Sequence, residues 1–151
     1  MTEHPEKPEP RVNELGSPTA AAPDADKPKR TRKRAPRDLS AKFVVEACRH
    51  MHDLHCENIV AYDVRGKSDV TDYILIASGT SDRQMRSLAD DFAELGRKFD
   101  LEPYGTEIDG TTTWIVIDFV DAVVHLFEPQ VRAFYDLEML WGDCPKVEWK
   151  R

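Results

Sequence analysis

The sequence predicts an α/β (α+β) fold, a mixed sheet of about four to five strands packed by about three helices. Three observations predict it. Apolar residues recur at spacings of three and four in three segments, short apolar or alternating runs lie between them, and Gly, Pro and Ser separate the two patterns. The order reads helix, strand, strand, helix, strand, hairpin, helix.

The first helix opens at Ser40, where Phe43, Val44, Ala47, Cys48, Met51 and Leu54 mark one apolar face. Asp38 or Ser40 is expected to cap it. A short strand, Ile59 to Val64, and a polar turn, Arg65 to Asp69, follow. Tyr73 to Ala77 is apolar throughout, as a strand buried on both faces would be. Ser78-Gly79-Thr80-Ser81 then turns into a second helix, with Ser81 and Gln84 at capping-box spacing. Met85, Leu88, Ala89, Phe92 and Leu95 form its stripe, and Phe99 extends it.

Pro103 and Gly105 break the chain before the hairpin, Thr113 to Phe119 and Ala122 to Phe127. Glu128-Pro129 opens the last helix, with Val131, Phe134, Tyr135, Glu138 and Trp141 along one side and Gly142 at its end. In the hairpin, Trp114, Val116 and Asp118 alternate with Ile115, Ile117 and Phe119, and Val123, His125 and Phe127 alternate with Val124 and Leu126. Both faces are largely apolar. Either the helices cover both, or part of one face awaits a partner.

Composition divides the chain near Asp38. Seven of the ten prolines lie in the first 36 residues, and no Phe, Tyr or Trp precedes Phe43. Residues 1–38 therefore read as a disordered tail, and 39–151 as the folded domain. The tail carries nine Lys/Arg against seven Asp/Glu, and Lys27 to Arg37 holds seven basic residues with no acid. The remainder has twelve against twenty-one, an excess of nine negative charges. That excess repels phosphate backbones and suits a basic protein partner. The tail block is the one place where a weak RNA contact is expected.

Three cysteines make no disulfide framework, no signal peptide is visible, and no apolar run approaches a membrane span. A cytoplasmic protein with no membrane partner is expected.

Candidate chemistry is thin. A nucleotidyltransferase needs a Gly-Ser turn at a helix start and an acidic pair for Mg²⁺. Ser78 to Ser81 offers the first, and Glu107 with Asp109, or Asp118 with Asp121, the nearest approach to the second. Cys48, His52, His55 and Cys56 tempt a metal reading, but one helix rarely converges that many ligands on one ion. A buried thiol, Cys48 on the apolar stripe, with rim histidines is the expected account. No enzyme, metal or cofactor is expected.

Several motifs carry more. Asp63-Val64-Arg65-Gly66-Lys67-Ser68, Thr71-Asp72-Tyr73, Ala77 to Gln84, Trp114 to Asp118, Asp121 to His125 and Arg132 to Trp141 stand in order with few gaps. Together they resemble the ribosomal silencing factor (Iojap-like) family, over about residues 40 to 143. The resemblance implies a nucleotidyltransferase-like fold without catalytic carboxylates. It implies docking on the large ribosomal subunit, at the universal large-subunit protein numbered fourteen. Small-subunit joining would then be blocked and translation lowered. Large-subunit assembly and homodimers of the free protein are also implied.

The docking region expected on these motifs is Asp118, Asp121, His125, Arg132, Tyr135 and Trp141, with Lys67 and Asp72 as neighbours. One position departs from the family: Val120 stands where Gly is usual, in a turn that favours positive φ.

Overall fold

The computed structural model describes residues 36–108 and 110–150. The disorder expected of the tail lies outside the described residues as far as residue 35, as does Asp109 of the Glu107–Asp109 pair; Arg37 and Asp38, expected in the tail, instead form the first turn of α1. The elements are α1 (Arg37–Asp53), β1 (Glu57–Asp63), β2 (Tyr73–Ser78), α2 (Asp82–Arg97), β3 (Gly105–Ile108), β4 (Trp114–Asp118), β5 (Ala122–Phe127), α3 (Pro129–Tyr135) and α4 (Glu138–Trp141). The sheet runs β1-β2-β5-β4-β3; β2 and β5 are parallel and the other neighbours antiparallel. This is the mixed α/β sheet that the sequence predicts.

Local chemistry explains the helix ends. Ser40 does not cap α1: its hydroxyl donates to Arg37 O at 2.9 Å from inside the first turn. The cap position belongs to Pro36, whose missing N–H costs nothing there. At α2, Ser81 Oγ accepts from Gln84 N at 3.0 Å, as its spacing predicts. The reciprocal bond differs, because Gln84 Oε1 accepts from Thr80 N while Gln84 Nε2 donates to Leu54 O at 2.6 Å. One glutamine thus ties the start of α2 to the end of α1.

The sheet separates two cores. On one face Phe43, Met51, Leu75, Leu88, Phe92 and Ile117 pack beneath α1 and α2. On the other Ile74, Ile76, Trp114, Val116, Phe127 and Trp141 pack beneath α3 and α4. β2 is buried along its whole length between them. The helices therefore cover the apolar residues on both faces of the hairpin, and of its two strands only Asp118 stays partly exposed. Burying each large apolar side chain contributes about 1.5–3 kcal/mol, so neither face is expendable.

The last helix is two. Asp136 adopts φ 46, the left-handed region, and its N–H bonds to Arg132 O, which ends α3. α4 then starts in a new direction at Glu138. The break sends Leu137 into the core and leaves Phe134, expected on the inward stripe, 64% exposed.

Val120 resolves the hairpin question. It sits at φ 71, and Asp121 N bonds to Phe119 O at 2.9 Å, an i to i+2 closure. Such a γ-turn is rare and strained for a β-branched residue. Asp118 Oδ1 holds it by accepting from Val120 N at 2.7 Å.

Gly96 allows α2 to meet the next segment. A Cβ there would lie 2.4 Å from Leu101 O and 2.8 Å from the Phe119 ring. Gly96→Ala should cost about 2–3 kcal/mol as an overpacked contact. A lowered urea midpoint at unchanged slope is the expected result, and an unchanged midpoint would refute the close approach.

Candidate functional site

The Ser78–Ser81 turn and the Asp118–Asp121 pair do not meet. Ser78 ends β2 opposite Phe127 at the end of parallel β5, whereas Asp118 and Asp121 flank the turn into the start of β5. A six-residue strand separates the two ends, roughly 17 Å at about 3.3 Å per residue. The Ser78–Ser81 turn is also occupied internally. Thr80 N donates to Gln84 Oε1 and Ser81 Oγ accepts from Gln84 N in the cap of α2, Gly79 N bonds to Phe127 O, and Ser78 Oγ accepts from Arg132.

The thiols of Cys48 on α1 and Cys56 just beyond it are core groups. Burial pushes the Cys48 thiol up to about 12 and Cys56 up to about 11, against the ionisation a metal ligand needs. His52 lies beside the Trp149 ring, centroids 5.8 Å apart, and His55 is exposed. Among the described residues no three His, Cys, Asp or Glu side chains gather as a metal-holding group.

The expected docking residues fall into three places. Asp72, Asp118 and Asp121 stand at one end of the sheet, where β2 and β5 begin and β4 ends. Asp121 is 1% exposed and its carbonyl accepts from Asp72 N and Tyr73 N, so it belongs to the fold. His125 is 0% exposed in the middle of β5. Trp114 Nε1 donates to its Nδ1 at 3.2 Å, and burial alone lowers its pKa from 6.5 to about 3. Neither Asp121 nor His125 offers a side chain to a partner.

Lys67, Arg132, Tyr135 and Trp141 come together around the α3–α4 break. Arg132 Nε donates to Glu138 Oε1 at 2.6 Å and Nη1 to Ser78 Oγ at 3.0 Å, which fastens both short helices to β2. Lys67 reaches from the β1–β2 loop to Leu140 O at 2.5 Å and Asp143 Oδ1 at 2.7 Å, with its Nζ 5.9 Å from the Trp141 ring centroid. That cation holds the Asp143 carboxyl below the usual carboxylate range. The Tyr135 ring lies 4.9 Å from that of Trp114, half-buried beneath α3. Trp141 is buried and faces the core.

These braces set what faces outward. Phe134 is 64% exposed, Met139 80% and Leu140 47%, on either side of one tight break. Large apolar groups held out on a fixed backbone form a surface ready to be covered.

A family model described as "Ribosomal silencing factor during starvation" matches residues 37–151. The chain belongs to this family. Its similarity to the ribosomal silencing factor of Haemophilus influenzae is 43% identity over 85 residues, 56% of this chain and 83% of the relative. To that of Bacillus subtilis it is 36% over 107 residues, 71% of this chain and 88% of the relative. A crystal structure of a Bacillus halodurans protein aligns with TM-score 0.59 at 32% identity, covering 75% of this chain and 99% of that one.

The family match opens at Arg37, where α1 begins. Many of the polar motif residues that carry the resemblance hold this fold together: Ser81 and Gln84 cap α2, Asp121 anchors β2, and Lys67 with Arg132 brace α4. Sequence reasoning missed Met139 and Leu140. A signal was present for Met139, which stands two residues from both Leu137 and Trp141 and cannot share their helical stripe, but not for Leu140, whose spacing fits that stripe.

Proposed function

We propose that this ribosomal silencing factor represses translation by docking on the large ribosomal subunit, at its universal protein numbered fourteen, and keeping the small subunit from joining. It acts by occupying a surface, with no reaction to catalyse. The observation that carries this reading is the braced α3–α4 break with Phe134, Met139 and Leu140 turned outward. Aromatic and long apolar side chains on a rigid backbone are what interface anchors require.

Lys67, Arg132, Tyr135 and Trp141 support that surface from beneath. Asp72 and Asp118, at the end of the sheet, add to the negative field that draws in a basic protein. Free copies would meet through the same apolar groups, so a homodimer and the docked form would exclude each other. The basic run from Lys27 to Arg37 would add a weak, salt-sensitive contact with RNA. No helix among the described residues is long and apolar enough to cross a membrane.

The test is subunit joining. Purified large subunits are saturated with the full chain, small subunits are added, and the joined fraction is measured by sedimentation. A joined fraction that falls in proportion to occupancy is expected. Undiminished joining at saturation would refute the blocking step and leave large-subunit assembly as the better account.

A further inference from the structure

The two edges of the sheet are treated differently. The outer edge of β1 is closed by the chain's own C-terminal segment: Asp63 N bonds to Pro145 O, Val147 N to Ala61 O, and Tyr62 bridges to Lys146. The outer edge of β3 has no such cover among the described residues, and all four of its residues are exposed. An uncovered edge is a template for another strand. Natural edges are often guarded by lysine, and this one has none.

The charge along the chain segment that carries that edge is one-sided. From Phe99 to Asp118 the chain has five acids and no Lys or Arg. In the register, Glu107 lies opposite Val116 and Gly105 opposite Asp118, so the Glu107 and Asp118 side chains share one face of the sheet. Glu107 makes no hydrogen bond or ion pair among the described residues, and burial together with the Asp118 charge raises its pKa. The other face of β3 presents Ile108, 39% exposed.

We propose that the open edge of β3 receives an extended segment of a partner protein in which Lys or Arg alternates with apolar residues. Strand addition supplies the main-chain bonds, the cations fall on the Glu107–Asp118 face, and the apolar residues fall beside Ile108. Nucleic acid is a poor occupant, because the acids repel phosphate. A second copy of β3 is also poor, since antiparallel self-pairing brings Glu107 towards its own counterpart. The chain's own Lys27–Arg37 block has the charge but lacks apolar alternation and contains prolines. This surface is separate from the α3–α4 anchors and stands whether or not those dock the ribosome.

The probe is a short peptide alternating Arg and Val, titrated into the isotope-labelled full chain while backbone amide shifts are followed. Shifts confined to β3, β4 and their flanks are expected. Glu107→Lys should weaken binding by about ten-fold or more, whereas Phe134→Ser on the other surface should leave it unchanged. Four outcomes would overturn the proposal: no shifts, shifts centred on α3 and α4, equal binding of a Glu/Val peptide, or concentration-dependent β3 shifts without peptide, which would make a second copy the occupant. A fifth uses a full-length variant with the seven Lys/Arg of the 27–37 block changed to Gln. If its β3 amides differ from those of the parent chain without peptide, the chain's own block is the occupant, and the partner segment is refuted.

Discussion

Acidification from neutral pH should remove about 4–5 kcal/mol of stability through His125 alone, and that loss should begin above the carboxylate range. The ring is 0% exposed, and burial lowers its pKa from 6.5 to about 3. Between those values the unfolded chain binds a proton that the folded chain refuses, so stability rises with pH across the window. The contribution is complete above about pH 6.5 and is lost progressively as pH falls towards 3. At about 1.4 kcal/mol per unit, the full window amounts to that loss, and about 3 kcal/mol is gone by roughly pH 4.5.

The geometry gives the same sign. Trp114 Nε1 donates to Nδ1, so the neutral ring carries its proton on Nε2, which has no hydrogen-bond partner among the described residues. A second proton would put two donors face to face under α3. Urea unfolding at stepped pH measures the slope. His125→Phe should flatten it between about pH 6.5 and 4.5 while the steeper carboxylate loss at lower pH stays. An unchanged slope in that variant would show that another group carries the effect.

The parts of the fold legible in the sequence are those with local causes. The β2 run is apolar at every position because both of its faces are buried, and Ser81 with Gln84 announces the start of α2. The division of α3 from α4 was not legible. It rests on Asp136 in a left-handed conformation with no glycine to mark it. The closure of β1 by residues 145–147 was hidden for a different reason, since its bonds join positions about eighty residues apart in the chain.

Of the candidate residues, the sequence shows which lie near one another in the chain but not which side chains face outward. Lys67, Arg132, Tyr135 and Trp141 do gather, yet mostly as braces, because a long cationic side chain satisfies a helix-end carbonyl as readily as it meets a partner. Asp121 and His125 carry polar side chains in or beside a strand buried on both faces. Alternation assigns them to a face but not to an exposure. The surface emerges only once the break rotates Met139 and Leu140 away from Leu137.

Replacing Phe134 by Ser together with Met139 by Asp should weaken large-subunit binding by at least about a thousand-fold while leaving the fold intact. Both side chains are mostly exposed, at 64% and 80%, so truncation opens no cavity and strands no polar partner. An anchor at the centre of an interface costs about 2 kcal/mol or more when truncated, and two that act together approach 4. That energy corresponds to the thousand-fold loss at about 1.4 kcal/mol per ten-fold. The loss should appear in the dissociation rate, because apolar contacts form only after encounter. The excess negative charge of the domain should govern association instead, so added salt should slow binding by parent and variant alike. Surface-immobilised large subunits report both rates, and a melting curve matching the parent confirms folding. A variant that melts normally and dissociates at the parental rate would remove the α3–α4 break from the docking surface.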